Sequence, residues 1–392
     1  MGWWLLVGLA LAGDGDRVRD KLTRKTERCQ EALLRAEGRW SKACVALDSE
    51  ASRRSQRHAD RTTNRLVGKR ARHVRAAERL VALDDPEAYV DVFFATNRVP
   101  DEKDFFGPVD QDGLTFGVAT VYVPPGHPDG SLDNALQIAA LEVLAEDDFH
   151  ARLEEALGPD GHVFTYVHGY NNSFEYATRR AAQVTHDLSQ PLVPVLFSWP
   201  TRGGTWFSTV MYTYDENAAA RSSAPFAYVL DGLLTRHDAP IVLFAHSMGN
   251  RIASEALVDL DRGYALPRRL ERAVLAAPDV DARVFERRYL DVVTSASRGV
   301  TLYCADDDRA LKLSRGVHGG YDRLGSCRKG AVAGIVGALE VVDASMLYVD
   351  LVDHDKVASS PRLLRDLEKA LDGVPAQARG LRSKDGRWEL PP

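Results

Sequence analysis

The 392-residue chain has four cysteines, four methionines and only 8% aromatic residues. Its Cys and His residues do not fall at zinc-ligand spacings, so no zinc module organises it. It has no G-x-x-x-x-G-K-[ST] phosphate loop, which removes the simplest motif for nucleotide-driven chemistry. No self-similarity recurs at solenoid periods. The first apolar run, residues 2–13, is about 12 residues long, against the roughly 20 that a membrane-spanning helix needs. That run contains Ala10-Leu11-Ala12, a cleavage-like signal, but lacks a positive flank before it. No Cys follows Gly13, which argues against a lipoprotein anchor. Export to the periplasm or cell envelope is therefore the favoured expectation, with a cytoplasmic chain bearing a greasy N-terminus as the alternative.

What is present divides into modules. The formal net charge is −6, but residues 14–79 hold about 19 Lys and Arg against about 10 Asp and Glu, so the rest of the chain is strongly acidic. Residues 14–83 contain no Pro and few Gly, and read as helix. Leu22, Cys29, Leu33, Ala36, Trp40, Ala43 and Leu47 recur at spacings of three, four and seven, an apolar stripe suited to a helical arm or coiled coil. Such an Arg-rich arm could attach to an anionic membrane surface through residues 14–83. Nucleic acid is a weaker partner, because no aromatic interleaving accompanies the arginines. The expected organisation is an apolar segment at 1–13, a basic arm at 14–85, a catalytic-sized domain at 86–372 and a polar tail at 373–392.

From residue 88 onward, strands and helices alternate. Residues 89–96, 114–123 and 136–144 read as an antiparallel opening between turn-rich connectors. Short apolar runs follow at 162–167, 193–197, 241–244, 272–276, 300–304 and 339–342, separated mostly by amphipathic helical stretches. This pattern predicts an α/β fold, with a mostly parallel sheet covered on both faces.

Chemistry-bearing residues fall at the strand ends, where open α/β sheets hold their sites. Ala245-His246-Ser247-Met248-Gly249 lies between a strand and a helix, in the pattern of a nucleophile elbow. Ala245 stands where Gly is commonest. The elbow predicts Ser247 as nucleophile and the backbone N–H of Met248 as an oxyanion donor. His168-Gly169-Tyr170-Asn171-Asn172 follows another strand. Gly169 would let the loop turn, Tyr170 N–H would be the second donor, and His168 would be structural. Asp306, Asp307 and Asp308 follow the 300–304 strand and cannot all face inward, and Asp308 is favoured as the acid. Asp279 and Asp281 compete from one strand earlier, and any of these could instead cap a helix. For the base, His318 and His354 are available. His354 fits the chain order Ser, Asp, His.

Taken together, residues 92–98 (Val-Phe-Phe-Ala-Thr-Asn-Arg), 168–174, 194–200, 245–250, 275–279, Asp308-Arg309-Ala310-Leu311 and His354 resemble the bacterial α/β-hydrolase family called domain of unknown function 900. The resemblance covers roughly residues 88–372. It implies an α/β-hydrolase fold with esterase- or lipase-like activity, Ser247 as nucleophile, His354 as base and Asp308 as acid. The chain departs from the family at Asp353-His354-Asp355, where Gly-His-Ser is usual. Two flanking carboxylates would raise the His pKa.

The expected reaction is hydrolysis of a small-molecule or lipid ester through a Ser247 acyl-enzyme, with no metal or organic cofactor required. Trp199, Trp206, Phe207 and Tyr212 are expected to line the acyl pocket within a mobile aromatic flap, with a packed excursion that completes the core as the alternative. Two alternatives remain: an amide or peptide hydrolase, and a catalytically weak envelope scaffold. The cysteines suggest a Cys304–Cys327 bridge in an exported chain. A Cys29–Cys44 bridge needs a helical hairpin near Gly38, because a continuous helix would hold that pair about 22 Å apart.

Overall fold

The computed structural model describes residues 88–101, 105–132, 135–201, 209–263, 269–347 and 355–391, together with seven positions between 23 and 35. Expectations for the apolar segment 1–13, the Cys29–Cys44 pair, Trp206, Phe207 and His354 lie outside the described residues. The described arm positions are helical, and Arg35 pairs with Glu31 one turn away. The chain divides into two compact units. One comprises residues 1–90, 122–127 and 135–140, and the other holds the remainder. Within the first unit, Val123 N–H donates to Ala88 O, and the rings of Tyr89 and Tyr122 lie 5.5 Å apart.

The strands are β1 (Tyr89–Asp101), β2 (Phe105–Tyr122), β3 (Gln137–Leu144), β4 (His162–Val167), β5 (Leu192–Ser198), β6 (Ile241–His246), β7 (Arg272–Ala276), β8 (Val300–Cys304), β9 (Glu340–Asp343), β10 (Arg382–Lys384) and β11 (Arg387–Glu389). They form one sheet in the order β10-β11-β9-β8-β7-β6-β4-β5-β1-β2-β3. The pairs from β1–β5 through β8–β9 are parallel. The opening strand is thus part of the parallel body, with Phe93 in register with Val195. Residues 373–392 are more than a polar tail. β10 and β11 form an antiparallel hairpin whose β11 runs parallel to β9, extending the sheet. Three-residue strands of mixed polarity leave no alternation to read, which hid them in the sequence.

The central strands are apolar on both faces because both faces are covered. On one face Val163, Val167, Leu243 and Ala245 pack with Phe226, Leu230, Ile252 and Ala256 in the main core. On the other, Phe164 and Tyr166 meet Phe244 at 5.6 Å each. The covering helices include α1 (Glu146–Leu157), α2 (Phe174–Asp187), α3 (Thr209–Arg236) and α4 (Gly249–Gly263). Then come α5 (Ala282–Val284), which runs on through a wide turn into α6 (Leu290–Ala296), and α7 (Arg309–Val317), α8 (Lys329–Val332), α9 (Lys356–Ser359) and α10 (Pro361–Leu371).

After β4 the chain steps to β5 on one side, then returns past β4 to β6 on the other. The crevice at the carboxyl ends of β4 and β6 is therefore the sheet's switch point, where open α/β sheets bind ligands. Register aligns Val167 with Ala245, His246 with Ala276 and Ala276 with Tyr303, so the loops that follow these strands emerge together.

Candidate active site

β6 ends at His246, and the next residue turns sharply. Ser247 has φ +52°, a left-handed conformation that costs a non-glycine residue about 1–3 kcal/mol. The turn is held by several bonds. Ser247 N–H donates to Ala276 O at 2.9 Å, and Ser247 O accepts from the N–H groups of Asn250 and Asp279 at 3.1 Å each. The buried Asn250 side chain donates to Ala245 O and Ser247 O. Gly249 has no room for a side chain: a Cβ there would lie 2.5 Å from His168 O and 2.6 Å from Val167 O. Ala245 fits, fully buried in the core, although Gly is commoner there.

The loop after β4 runs directly beside this turn. A Cβ on Gly169 would lie 2.9 Å from Ser247 Cβ and 2.9 Å from His246 Nδ1. His168 anchors the loop from below. Its Nδ1–H donates to Gly169 O at 2.9 Å, and its Nε2 accepts from Trp199 N–H at 3.1 Å. Burial and the neighbouring Arg98 charge hold the imidazole far below its ordinary pKa, so it stays neutral and structural. Arg98 is itself buried. It donates to Ser198 Oγ at 2.9 Å, Gly107 O at 3.2 Å and Asn172 O at 2.7 Å. A buried guanidinium with these partners pins both ends of residues 168–172.

Trp199 does not line an open pocket. It is fully buried, stacks on His168 at 5.3 Å, and donates its indole N–H to His168 O at 2.7 Å. The expected aromatic flap is likewise replaced at both described ends by packed structure: Trp199 directly follows β5, and Tyr212 sits in the first turn of α3. Tyr212 donates its hydroxyl to Asp279, and its ring lies 5.4 Å from Tyr170. Trp206 and Phe207 fall in the undescribed stretch between these ends. Tyr170 is itself buried, beside Tyr212.

The carboxylates sort themselves by partner. Asp281 is a helix cap, accepting from Arg283 N–H and Val284 N–H. Asp279 is fully committed to a buried network: it accepts from Tyr212 and from Ser314 Oγ at 2.6 Å, and Arg323 Nε lies at 3.3 Å. Burial alone would raise its pKa, but the charges of Arg251 and Arg323 outweigh that and hold it below the ordinary value. Of the other three, Asp306 is exposed, Asp307 receives a bidentate pair from Lys356 at 2.8 and 2.9 Å, and Asp308 is buried. Asp308 Oδ1 also caps α7 by accepting from Leu311 N–H at 2.9 Å. Capping and catalysis are not exclusive, because a carboxylate has a second oxygen.

Sequence reading missed Arg98, Arg251, Arg323, Lys356 and Arg180 as working parts. Arg98, Arg180, Arg323 and Lys356 are buried and Arg251 is half-buried, each against partners distant in the chain, and the one local signal is Arg98 at the end of the apolar run in β1. Arg180 of α2 reaches Asp355 at 2.8 Å, and Gln183 donates to Ala358 O at 3.1 Å. Asp355 also lies 3.8 Å from His246 Nε2, beside the nucleophile elbow. The Arg180 pair offsets the Asp355 charge, so of the two carboxylates flanking His354 this one is already neutralised by a cation. His318, the other C-terminal histidine weighed as a base, bonds Glu216 at 2.8 Å and Ser314 O at 2.7 Å. The bridge between Cys304 and Cys327 is present, with Cα atoms 5.0 Å apart, and it ties the end of β8 to the loop beyond α7. Among the described residues no helix is long and apolar enough to cross a membrane, and no group of three or more His, Cys, Asp and Glu side chains could hold a metal.

A strained serine between a parallel strand and a helix, at the switch point of an open sheet, defines an α/β-hydrolase. Residues 145–371, more than half of the chain, match the family described as alpha/beta hydrolase of unknown function (DUF900), and the protein belongs to it. No curated protein and no solved structure matches the chain. Family membership points to hydrolase activity.

Proposed function

We propose that the protein is a serine hydrolase of carboxylic esters, with Ser247 as nucleophile, His354 as general base and Asp308 as the acid that orients it. Ser247 Oγ attacks the ester carbonyl carbon while His354 accepts its proton. The oxyanion is met by the backbone N–H groups of Tyr170 and Met248, donors worth about 3 kcal/mol each in such sites. Collapse expels the alcohol, which takes the proton from His354 and leaves an acyl-Ser247. A water, deprotonated by His354, then attacks the acyl carbon. The carboxylic acid departs and Ser247 regains its proton.

One observation carries this reading. The two residues after His354 are anchored on opposite sides of the site: Asp355 on Arg180 and close to His246, and Lys356 on Asp307, the neighbour of Asp308. The segment after the base is thus tied both to the elbow side and to the acid loop. The closeness of Gly169 to Ser247 supports the oxyanion role of the 168–170 loop.

Steady-state kinetics on a panel of nitrophenyl esters, beside matched anilides and peptides, tests the reading. Ester turnover should exceed amide turnover, and Ser247→Ala and His354→Ala should each lower it about 10³-fold or more. Preferred amide cleavage would make the enzyme an amide hydrolase. No turnover of any substrate would favour a scaffold.

A further inference from the structure

α7 follows the candidate acid and has two different faces. Its inner face is fixed: Leu311 and Ser314 are buried, and Ser314 Oγ donates to Asp279. Arg309, Lys312 and Leu313 point the other way and are exposed, at the three- and four-residue spacing of one helix face. The neighbouring turns are hydrogen-bonded to the start of this helix and to the loop after it. Asp306 N–H donates to Ser345 Oγ at 2.8 Å, bringing Met346 alongside. Ala282 N–H donates to Asp322 O at 3.0 Å, bringing Arg283 and Val284.

Two properties coincide on this surface. Four of the seven large hydrophobic side chains exposed among the described residues are here: Val284 (44%), Leu313 (43%), Tyr321 (56%) and Met346 (61%). Among the described residues, Arg283, Arg287, Arg309, Lys312 and Lys329 form no ion pair. Of the nearby acids, Asp322 is occupied by Arg315 and Arg328, and Glu255 by Arg288. Among the described residues, the exposed acids Asp306, Glu286 and Asp291 and the helix-capping Asp281 stand against these five cations. The charge is local, since the whole chain carries −6.

We infer that this surface docks on an anionic lipid bilayer, with α7 lying in the headgroup layer. Cations alone would suit any polyanion. Exposed apolar tips set among them suit a surface with acidic headgroups over hydrocarbon, into which such side chains sink. Because α7 starts at Asp308, docking would hold the C-terminal ends of the strands against the bilayer. On the ester-hydrolase reading, this makes the substrate an ester residing in or at the membrane. The surface is built from residues of the second unit alone.

The test uses the full chain carrying Leu313→Cys in a Cys29→Ser, Cys44→Ser background, labelled with a polarity-sensitive fluorophore. Vesicles of mixed phosphatidylglycerol and phosphatidylcholine should shift the emission to the blue. Pure phosphatidylcholine vesicles should not, and high salt should suppress the shift. Adding Arg283→Glu and Lys312→Glu should abolish it. The same two charge reversals in the wild-type background should leave turnover of a water-soluble nitrophenyl ester unchanged. They should lower turnover of a long-chain ester dissolved in anionic vesicles about tenfold. Because the probe reports position 313, the arm's own lipid binding does not mask the result. The emission readout needs no catalysis, so its failure is distinct from failure of the ester reading. No shift, an equal shift on neutral vesicles, or an equal shift with a single-stranded oligonucleotide would overturn the proposal.

Discussion

Ser247 was legible in the sequence because its strain imposes local demands: a small residue two before it, a glycine two after it, an apolar strand and a helix. The structure meets each of these, with φ +52° at Ser247 and no space for a Cβ on Gly249. Its supporting charges were not legible, since Arg98 finds Asn172 across 74 positions and no local pattern announces a partner so distant. The acids show the same limit. Three aspartates in a row read alike until Lys356 takes Asp307 and α7 takes one oxygen of Asp308. Two substitutions should separate the acid from the strut. Asp308→Asn should lower kcat by about 10³-fold or more with a small change in melting temperature. Asp279→Asn should retain more activity but lose stability, about 3–5 kcal/mol where a buried ion pair is broken. Chemical denaturation beside steady-state kinetics checks both, and the reverse ordering would move the acid role to β7. Gly169→Ala should push the loop away from Ser247. On the proposed mechanism it lowers kcat by about 10²-fold with little change in KM, as for loss of one oxyanion donor.

At the scale of elements, the parallel body was readable because its strands are apolar on both faces and separated by amphipathic helices. Elements defined by long-range pairing were not. β10 and β11 hold three polar or mixed residues each and exist because Trp388 meets Val342 on β9. The segment from 199 to 214 looked like an aromatic flap because Trp and Tyr cluster there. In the fold, Trp199 stacks on His168 and Tyr212 caps the Asp279 network, so both aromatics are structural. The Lys356–Asp307 pair belongs to this scale, since it joins α9 to the loop that starts α7. Lys356→Met should lower kcat for esters about 10-fold or more while leaving KM near its wild-type value, because the two loops lose their register. Asp307→Asn should do the same, and the double variant should be no worse than either single one. Additive losses would mean that the two residues act separately.

Over the whole molecule, charge is distributed by module, and acid stability has an identifiable source. His150 and His237 are buried together, 2.8 Å apart between Nδ1 and Nε2, with Glu154 on the far side of His237. Burial, then the His237 charge, pulls the His150 pKa down to about 4. A histidine held neutral in the fold takes up protons more readily when unfolded. Its contribution is therefore intact above the unfolded value near 6.5 and is lost as pH falls toward 4, at most about 3 kcal/mol. Denaturant titrations at pH 7, 5.5 and 4 should show this decline, and His150→Phe should flatten it. The hydrolase reading requires an activated Ser247, and a phosphonylating active-site probe reads that reactivity without a chosen substrate. A fluorophosphonate should label the full-length protein stoichiometrically, with the adduct mapped by mass spectrometry to the peptide containing Ser247. His354→Ala should suppress labelling and Ser247→Ala should abolish it. A folded wild-type protein that resists the probe, or an adduct on any other residue, would rule out Ser247 as the nucleophile.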